Sequence, residues 1–180
     1  MPAPPDEAVY RFCPQCGGGL VRRLLKTGDP HRLVCAGCGF IFYLDPKVAV
    51  GTIITVPGEG IVMVKRAIEP GLGRWVFPGG YVDRGELVED AARREALEEA
   101  GLIIRLDGLI NIYSYTSRSP IIIVYAATAM GGTLAADEES SEVALFTQET
   151  LPWDLLAFRS TDEALRHFFA GVIHRVPASS

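Results

Sequence analysis

Runs of apolar residues, broken by Gly and Pro, divide the chain into elements before any motif is considered. Residues 48–56 are apolar and rich in β-branched side chains, which predicts a buried strand. Pro57-Gly58-Glu59-Gly60 reads as a hairpin turn, with residues 61–66 as the returning strand. Residues 69–74 form a Gly/Pro loop leading into Trp75-Val76-Phe77-Pro78, where Trp75 and Phe77 are core candidates. From about residue 87 to 100 the chain lacks Pro and Gly and is made largely of Ala, Leu, Glu and Arg, which predicts a helix stopped by Gly101. Ala91, Ala92, Ala96, Leu97 and Ala100 would supply its packing surface. Residues 103–109 and 110–115 read as two strands, 116–120 as a turn, and 121–129 as an apolar strand in mid-sheet, ended by Gly131-Gly132. A strand at 143–146 follows, then a link at Leu151-Pro152-Trp153. Ser160-Thr161-Asp162-Glu163 has the form of a capping box for a last helix, whose apolar face is Leu165, Phe168, Phe169 and Val172. Residues 1–8 are Pro-rich and 177–180 form a tail.

Upstream of residue 45 the pattern is different. Two short strands, 21–25 and 31–34, would turn at Gly28-Asp29-Pro30, and residues 40–44 lead out to a break at Asp45-Pro46. The composition fits one main domain with a small appendage: 180 residues, 48% of them hydrophobic, can bury a real core. A net charge of −5 argues against a general nucleic-acid binder. The N-terminus lacks the form of a secretory signal, and no apolar run approaches membrane-spanning length. These features predict a soluble, cytoplasmic protein with no membrane partner.

The appendage holds Cys13-Pro14-Gln15-Cys16-Gly17 and Cys35-Ala36-Gly37-Cys38-Gly39. Two C-x2-C pairs separated by eighteen residues match tetrahedral zinc spacing. Disulfides are disfavoured in a reducing compartment, and a redox C-x-x-C would account for one pair but not two. Cys13, Cys16, Cys35 and Cys38 would fill all four positions, so the site is structural rather than catalytic. The segment resembles a zinc ribbon, over residues 9–44. Arg22, Arg23, Lys26 and Arg32 make it basic, either as solubilising charge or as a face toward substrate phosphates or a dimer partner.

On the predicted helix, Glu95, Glu98 and Glu99 stand at i, i+3 and i+4 on one face. Three crowded carboxylates are tolerated when solvated, or when a hard divalent cation sits among them. The wider pattern decides between these. Gly80, five residues, Glu86, seven residues, Arg94-Glu95, two residues, Glu98-Glu99, one residue and Gly101 fill every fixed position of a Nudix box. The resemblance implies a Nudix domain over residues 45–176, an α/β (α+β) fold described as an α/β/α sandwich with a mixed sheet. It also implies hydrolysis of a nucleoside diphosphate linked to another moiety, using Mg²⁺ or Mn²⁺. By the same resemblance Glu95, Glu98 and Glu99 serve metal and water, with the Gly79 carbonyl as a further ligand. Arg94 holds Glu86 or a neighbouring carboxylate. Glu142, with Glu139 next, is the candidate for an additional ligand or base. Arg66, Gly80 and Glu86 are candidate substrate-binding residues, and a homodimer is expected.

A ribbon ahead of a Nudix domain resembles two groups. The NADH pyrophosphatases carry a Ser-Gln-Pro-Trp-Pro-Phe-Pro stretch, where this chain has Asn111-Ile112-Tyr113-Ser114-Tyr115-Thr116-Ser117. The shorter, plastid-type FAD pyrophosphatases share the ribbon, the Asp45-Pro46-Lys47 entry, the box, and a tail like Glu139-Ser140-Ser141-Glu142 through Leu156-Ala157-Phe158. That likeness implies FAD, ADP-ribose or NADH as substrate. The alternative is a nucleotide-sensing module with the ribbon as contact surface. The intact glutamate set speaks against it.

Overall fold

The computed structural model describes residues 10–116 and 120–174. The expectations for residues 1–8 and 177–180, and for most of the 116–120 turn, lie outside the described residues. The chain divides into two units, one ending at Pro46 and one beginning at Lys47.

The first unit is an antiparallel sheet of β1 (Leu20–Arg23), β2 (Arg32–Cys35) and β3 (Ile41–Phe42), in that order. The third strand was not expected. Residues 40–44 read as an exit, yet Ile41 pairs with Val34 and Phe42 with Leu33. The buried apolar set is small: Leu33 and Val34, together with Cys13 and Cys35.

The second unit is built on a mixed sheet. Its strands are β4 (Val48–Val56), β5 (Gly60–Arg66), β6 (Trp75–Val76), β7 (Gly79–Tyr81), β8 (Leu102–Tyr113), β9 (Ile121–Gly132) and β10 (Ser140–Phe146). They run in the order β10-β5-β4-β9-β8, with β6 on β5 and β7 on β4. Only the β4–β9 pairing is parallel. β9 lies between β4 and β8, in mid-sheet as its apolar run requires. β8 is one strand where two were expected. Its register shifts at three places, one of them skipping Asp107, and the strand runs on through the expected boundary between residues 109 and 110.

Helix α1 (Val88–Ala100) rests on β4, β7 and β8. Ala91, Ala92, Ala96 and Ala100 are wholly buried, and their small side chains let the helix lie close to the sheet. Leu97 is not part of this surface, being 54% exposed. Gly101 ends the helix at φ 69°, a left-handed conformation, with its N–H returned to Ala96 and Leu97 carbonyls. After a single 3₁₀ turn (Trp153–Leu155) comes α2 (Arg159–Phe169). The capping box does not form. Phe158 occupies the N-cap, no side chain caps the helix, and Ser160 and Thr161 lie buried in its first turn. Val172 falls beyond the helix, while Leu165 is fully buried. Among the described residues no helix is long and apolar enough to cross a membrane.

Candidate active site

The second unit carries a cavity of about 1400 Å³. Its wall includes Glu95, Glu98 and Glu99 of α1, Gly79 to Tyr81 of β7, Arg66 at the end of β5, and Arg94. The helical spacing brings the three glutamates to one place, but their environments differ. Glu95 and Glu99 are buried, whereas the Glu98 side chain is about half exposed. Burial pushes the Glu99 carboxyl up to about 7, opposed by the hydrogen bond it accepts from the Gly79 N–H at 2.7 Å. Burial also raises Glu95, while its bond to Arg94 works the other way.

Arg94 organises this face. Its Nε and Nη2 donate to the two oxygens of Glu86, at 2.8 and 3.0 Å, in a bidentate fork. Its Nη1 donates to Glu95 at 2.6 Å and to Glu98 at 3.0 Å. Both partners expected for Arg94, Glu86 and a neighbouring carboxylate, are therefore engaged. Glu86 also accepts the Asp83 N–H, and these bonds, Arg94 first, hold its carboxyl down at about 2. Glu86 does not line the cavity, so it acts on Arg94 rather than facing a ligand.

Gly79 and Gly80 are part of strand β7, paired with Gly51 and Val50. Close approach, not unusual backbone angles, explains them. A Cβ on Gly79 would run into the Val50 carbonyl, and one on Gly80 into the Glu95 carboxylate. The bare Cα of Gly80 lets the Glu95 carboxylate lie against β7, and carboxylate oxygens gathered in this way suit a divalent cation such as Mg²⁺ or Mn²⁺.

Two sequence candidates for the remaining roles separate in the structure. Glu142 lies off the cavity and pairs with Lys65 at 3.3 Å, on the exposed side of β10. Glu139 is on the cavity wall, as is Asp137. Sequence reasoning gave no role to Tyr81, whose ring lies under the Lys47 ammonium at 4.5 Å, nor to the cavity wall formed by Phe158 to Thr161. A Tyr directly after the paired glycines was the available signal for the first. Nothing in the sequence marked the second.

In the first unit, Cys13, Cys16, Cys35 and Cys38 place all four Sγ atoms within 4.8 Å of one another. Cys13 and Cys38 are 3.8 Å apart, Cys16 and Cys35 3.5 Å. Tetrahedral Zn–S bonds of about 2.3 Å would put sulfurs ~3.8 Å apart, so the cluster fits zinc. The Gln15 N–H points at the Cys13 sulfur and the Cys38 N–H at that of Cys35, each at 3.4 Å. The Cys38 N–H is the main cause that lowers the Cys35 thiol, while the neighbouring sulfurs push Cys16 the other way, as expected of four thiols crowded at one point. Among the described residues this is the one group of three or more His, Cys, Asp or Glu side chains gathered closely enough to hold a metal as it stands. The α1 carboxylates are turned instead to Arg94 and Gly79.

Comparison with known proteins places both units. The NUDIX domain family matches residues 45–169, and the Nudix N-terminal family, a zinc ribbon, matches residues 11–44. An ADP-ribose pyrophosphatase of Methanocaldococcus jannaschii is 40% identical over 114 residues, 61% of this chain and 67% of that protein. An NAD-capped RNA hydrolase NudC of Vibrio atlanticus is 26% identical over 143 residues, 79% of this chain. The match spans about half (51%) of that relative's length. The crystal structure of a NUDIX hydrolase from Nitrosomonas europaea superposes with a TM-score of 0.84 at 32% identity, covering 89% of this chain and 91% of the other.

Proposed function

The chain belongs to the NUDIX family of pyrophosphate hydrolases, and from that premise we propose that it cleaves the diphosphate of a nucleoside diphosphate derivative of the ADP-ribose type. The supporting observation is the glutamate face of α1, ordered by Arg94 and seated against Gly80, on the wall of a cavity large enough for such a molecule. The likeness to an ADP-ribose pyrophosphatase supports the choice of substrate. FAD and NADH have the same diphosphate linkage and belong to the same test.

In the reaction, water adds to one phosphorus, and the bond from that phosphorus to the bridging oxygen breaks. The bridging oxygen leaves on the other phosphate, giving two monophosphates. A divalent cation held by Glu95, Glu98, Glu99 and the Gly79 carbonyl would supply charge neutralisation and a more acidic water. This chain's own groups do the rest. A carboxylate of the α1 set accepts the proton of the water. Arg94 keeps Glu95 and Glu98 in place, and Glu86 keeps Arg94 in place. Arg66 offers positive charge to the diphosphate from the cavity wall. Glu139 and Asp137 add carboxylates at the rim, and Glu139 takes the role first given to Glu142.

Phosphate release, coupled to a phosphatase, over FAD, NADH, ADP-ribose and nucleoside triphosphates with Mg²⁺ tests this reading. ADP-ribose or a related dinucleotide is expected to give the highest kcat/KM. Silence across the whole panel, with tight ligand binding, would replace the enzyme by a sensor.

A further inference from the structure

The chemistry proposed above uses α1. The same cavity is also lined by Phe158, Arg159, Ser160 and Thr161, the N-cap and first turn of α2. No side chain caps that helix, and the backbone N–H groups of Arg159 and Ser160 find no backbone acceptor among the described residues. A helix start carries about half a positive elementary charge, and free N–H groups there receive oxyanions. Those properties belong to many helices, and Thr161 is what sets this one apart. It is fully buried, and its Oγ1 is the one buried side-chain nitrogen or oxygen among the described residues with no hydrogen-bond partner. A buried hydroxyl left unpaired costs stability, and native proteins rarely keep one without a use.

Arg66 connects this turn to the carboxylates. Its guanidinium lies 5.4 Å from the centre of the Phe158 ring. The Nε donates to the Pro70 carbonyl at 2.7 Å, which is its one side-chain hydrogen bond among the described residues. The positive charge also reaches Glu99 and favours its ionised form. Arg159 differs in that its Nε is paired with a carboxylate, Glu163, at 2.7 Å, so its charge is partly met, and it lies over the Tyr115 ring.

We propose that the first turn of α2 is a phosphoryl seat, in which the Thr161 hydroxyl and the Arg159 and Ser160 N–H groups hold the phosphate of the diphosphate that water does not attack, with Arg66 as countercharge. This rests on the pyrophosphatase reading. It assigns the two halves of the diphosphate to two helices: α1 serves the attacked phosphorus and α2 the departing nucleotide phosphate. The oxyanion can belong to intact substrate or to the released monophosphate, and the two are measured separately.

The experiment uses the zinc-loaded full chain with Thr161→Val, which keeps the shape and removes the hydroxyl, and Thr161→Ser, which keeps the hydroxyl. AMP binding is followed by calorimetry in magnesium-free buffer without chelator, and KM is measured with ADP-ribose and Mg²⁺. Thr161→Val is expected to raise the Tm of the ligand-free protein, because the unpaired hydroxyl is gone. The same variant should weaken AMP by about tenfold or more, as loss of a hydrogen bond to a charged group implies, and raise KM more than it lowers kcat. Thr161→Ser should bind AMP like the parent. AMP affinity and KM both indifferent to Thr161→Val would overturn the seat, whatever the Tm does. Should Thr161→Val fail to fold, Ser-like affinity in a Thr161→Ala chain would do the same. If no panel compound is hydrolysed while AMP binding still depends on the Thr161 hydroxyl, the seat stands and the pyrophosphatase reading falls. Hydrolysis with AMP affinity and KM both unaltered in Thr161→Val gives the reverse.

Discussion

Arg94 donates to three carboxylates at once, and its position among them orders the residues by what each can lose. Glu98 is the most exposed of the α1 set, with little packing to lose. Glu98→Gln should therefore leave the Tm near that of the parent. It should raise the barrier by about 3 kcal/mol, roughly a hundredfold in kcat. Near-parental turnover with Mg²⁺ would remove Glu98 from the site. Glu86 has the opposite profile, since it faces Arg94 and not the cavity. Its folded value of about 2 lies below the ~4.3 of an unfolded glutamate. Its contribution to stability is therefore present above ~4.3 and is lost as pH falls through about 2. Glu86→Gln should lower Tm at pH 7, and the gap to the parent should close as pH drops from 4 toward 2. A gap that does not change with pH would show that the Glu86 charge is not what holds Arg94. At this scale the sequence was legible where spacing carries the information, because three glutamates at helical intervals must share a face. It was not legible for Glu142. Glu139 lies in the loop just before β10 and lines the cavity, whereas Glu142 lies within β10 and pairs with Lys65, and the residue types do not announce on which side of the strand start each falls.

Among the elements, those with long apolar runs were readable in advance. β4 buries five of its nine residues and β9 the four at its centre, as mid-sheet positions require. The ends were harder. Within residues 40–44, Ile41 and Phe42 form a third ribbon strand, since pairing with β2 gives their backbone its hydrogen bonds. The expected cap of α2 gave way to an earlier start, with Phe158 at the N-cap and Ser160 and Thr161 buried in the first turn. The stop of α1 was legible because Gly101 had to supply a left-handed turn. That conformation yields a stability prediction. A Cβ on Gly101 would be strained at φ 69° and would meet the Thr133 carbonyl. Gly101→Ala should cost about 1–2 kcal/mol in urea unfolding. Leu97→Lys, on the exposed side of the same helix, should stay within about 0.5 kcal/mol. A Gly101→Ala chain as stable as the parent would mean that the helix end adjusts freely, and with it the Gly79–Glu99 contact.

For the whole molecule, the two units depend on different forces. From Val50 onward, the second unit gathers a broad apolar core of Ile, Val, Met, Leu and aromatic side chains, with α1 and α2 both contributing. The first buries little beyond Leu33, Val34 and two of its own cysteines. A segment that short cannot offset its chain entropy with so small a core. Bound zinc can supply on the order of 10 kcal/mol to such a fold. Zinc is therefore expected to be the reason the ribbon folds, and native mass spectrometry should find one ion per chain. Mild chelation should then raise amide exchange at Val21 and Val34 by about a hundredfold or more, as a lost global protection requires. The amides of β4 and β9 should keep their protection, because none of their packing involves the cysteines. Ribbon amides that stay protected in metal-free protein would show that its small core suffices and that the four thiols are not what folds it. Loss of protection in β4 and β9 together with the ribbon would show that the second unit needs the first in order to stay folded. The box helix would then owe its position to the zinc as well as to its own alanines.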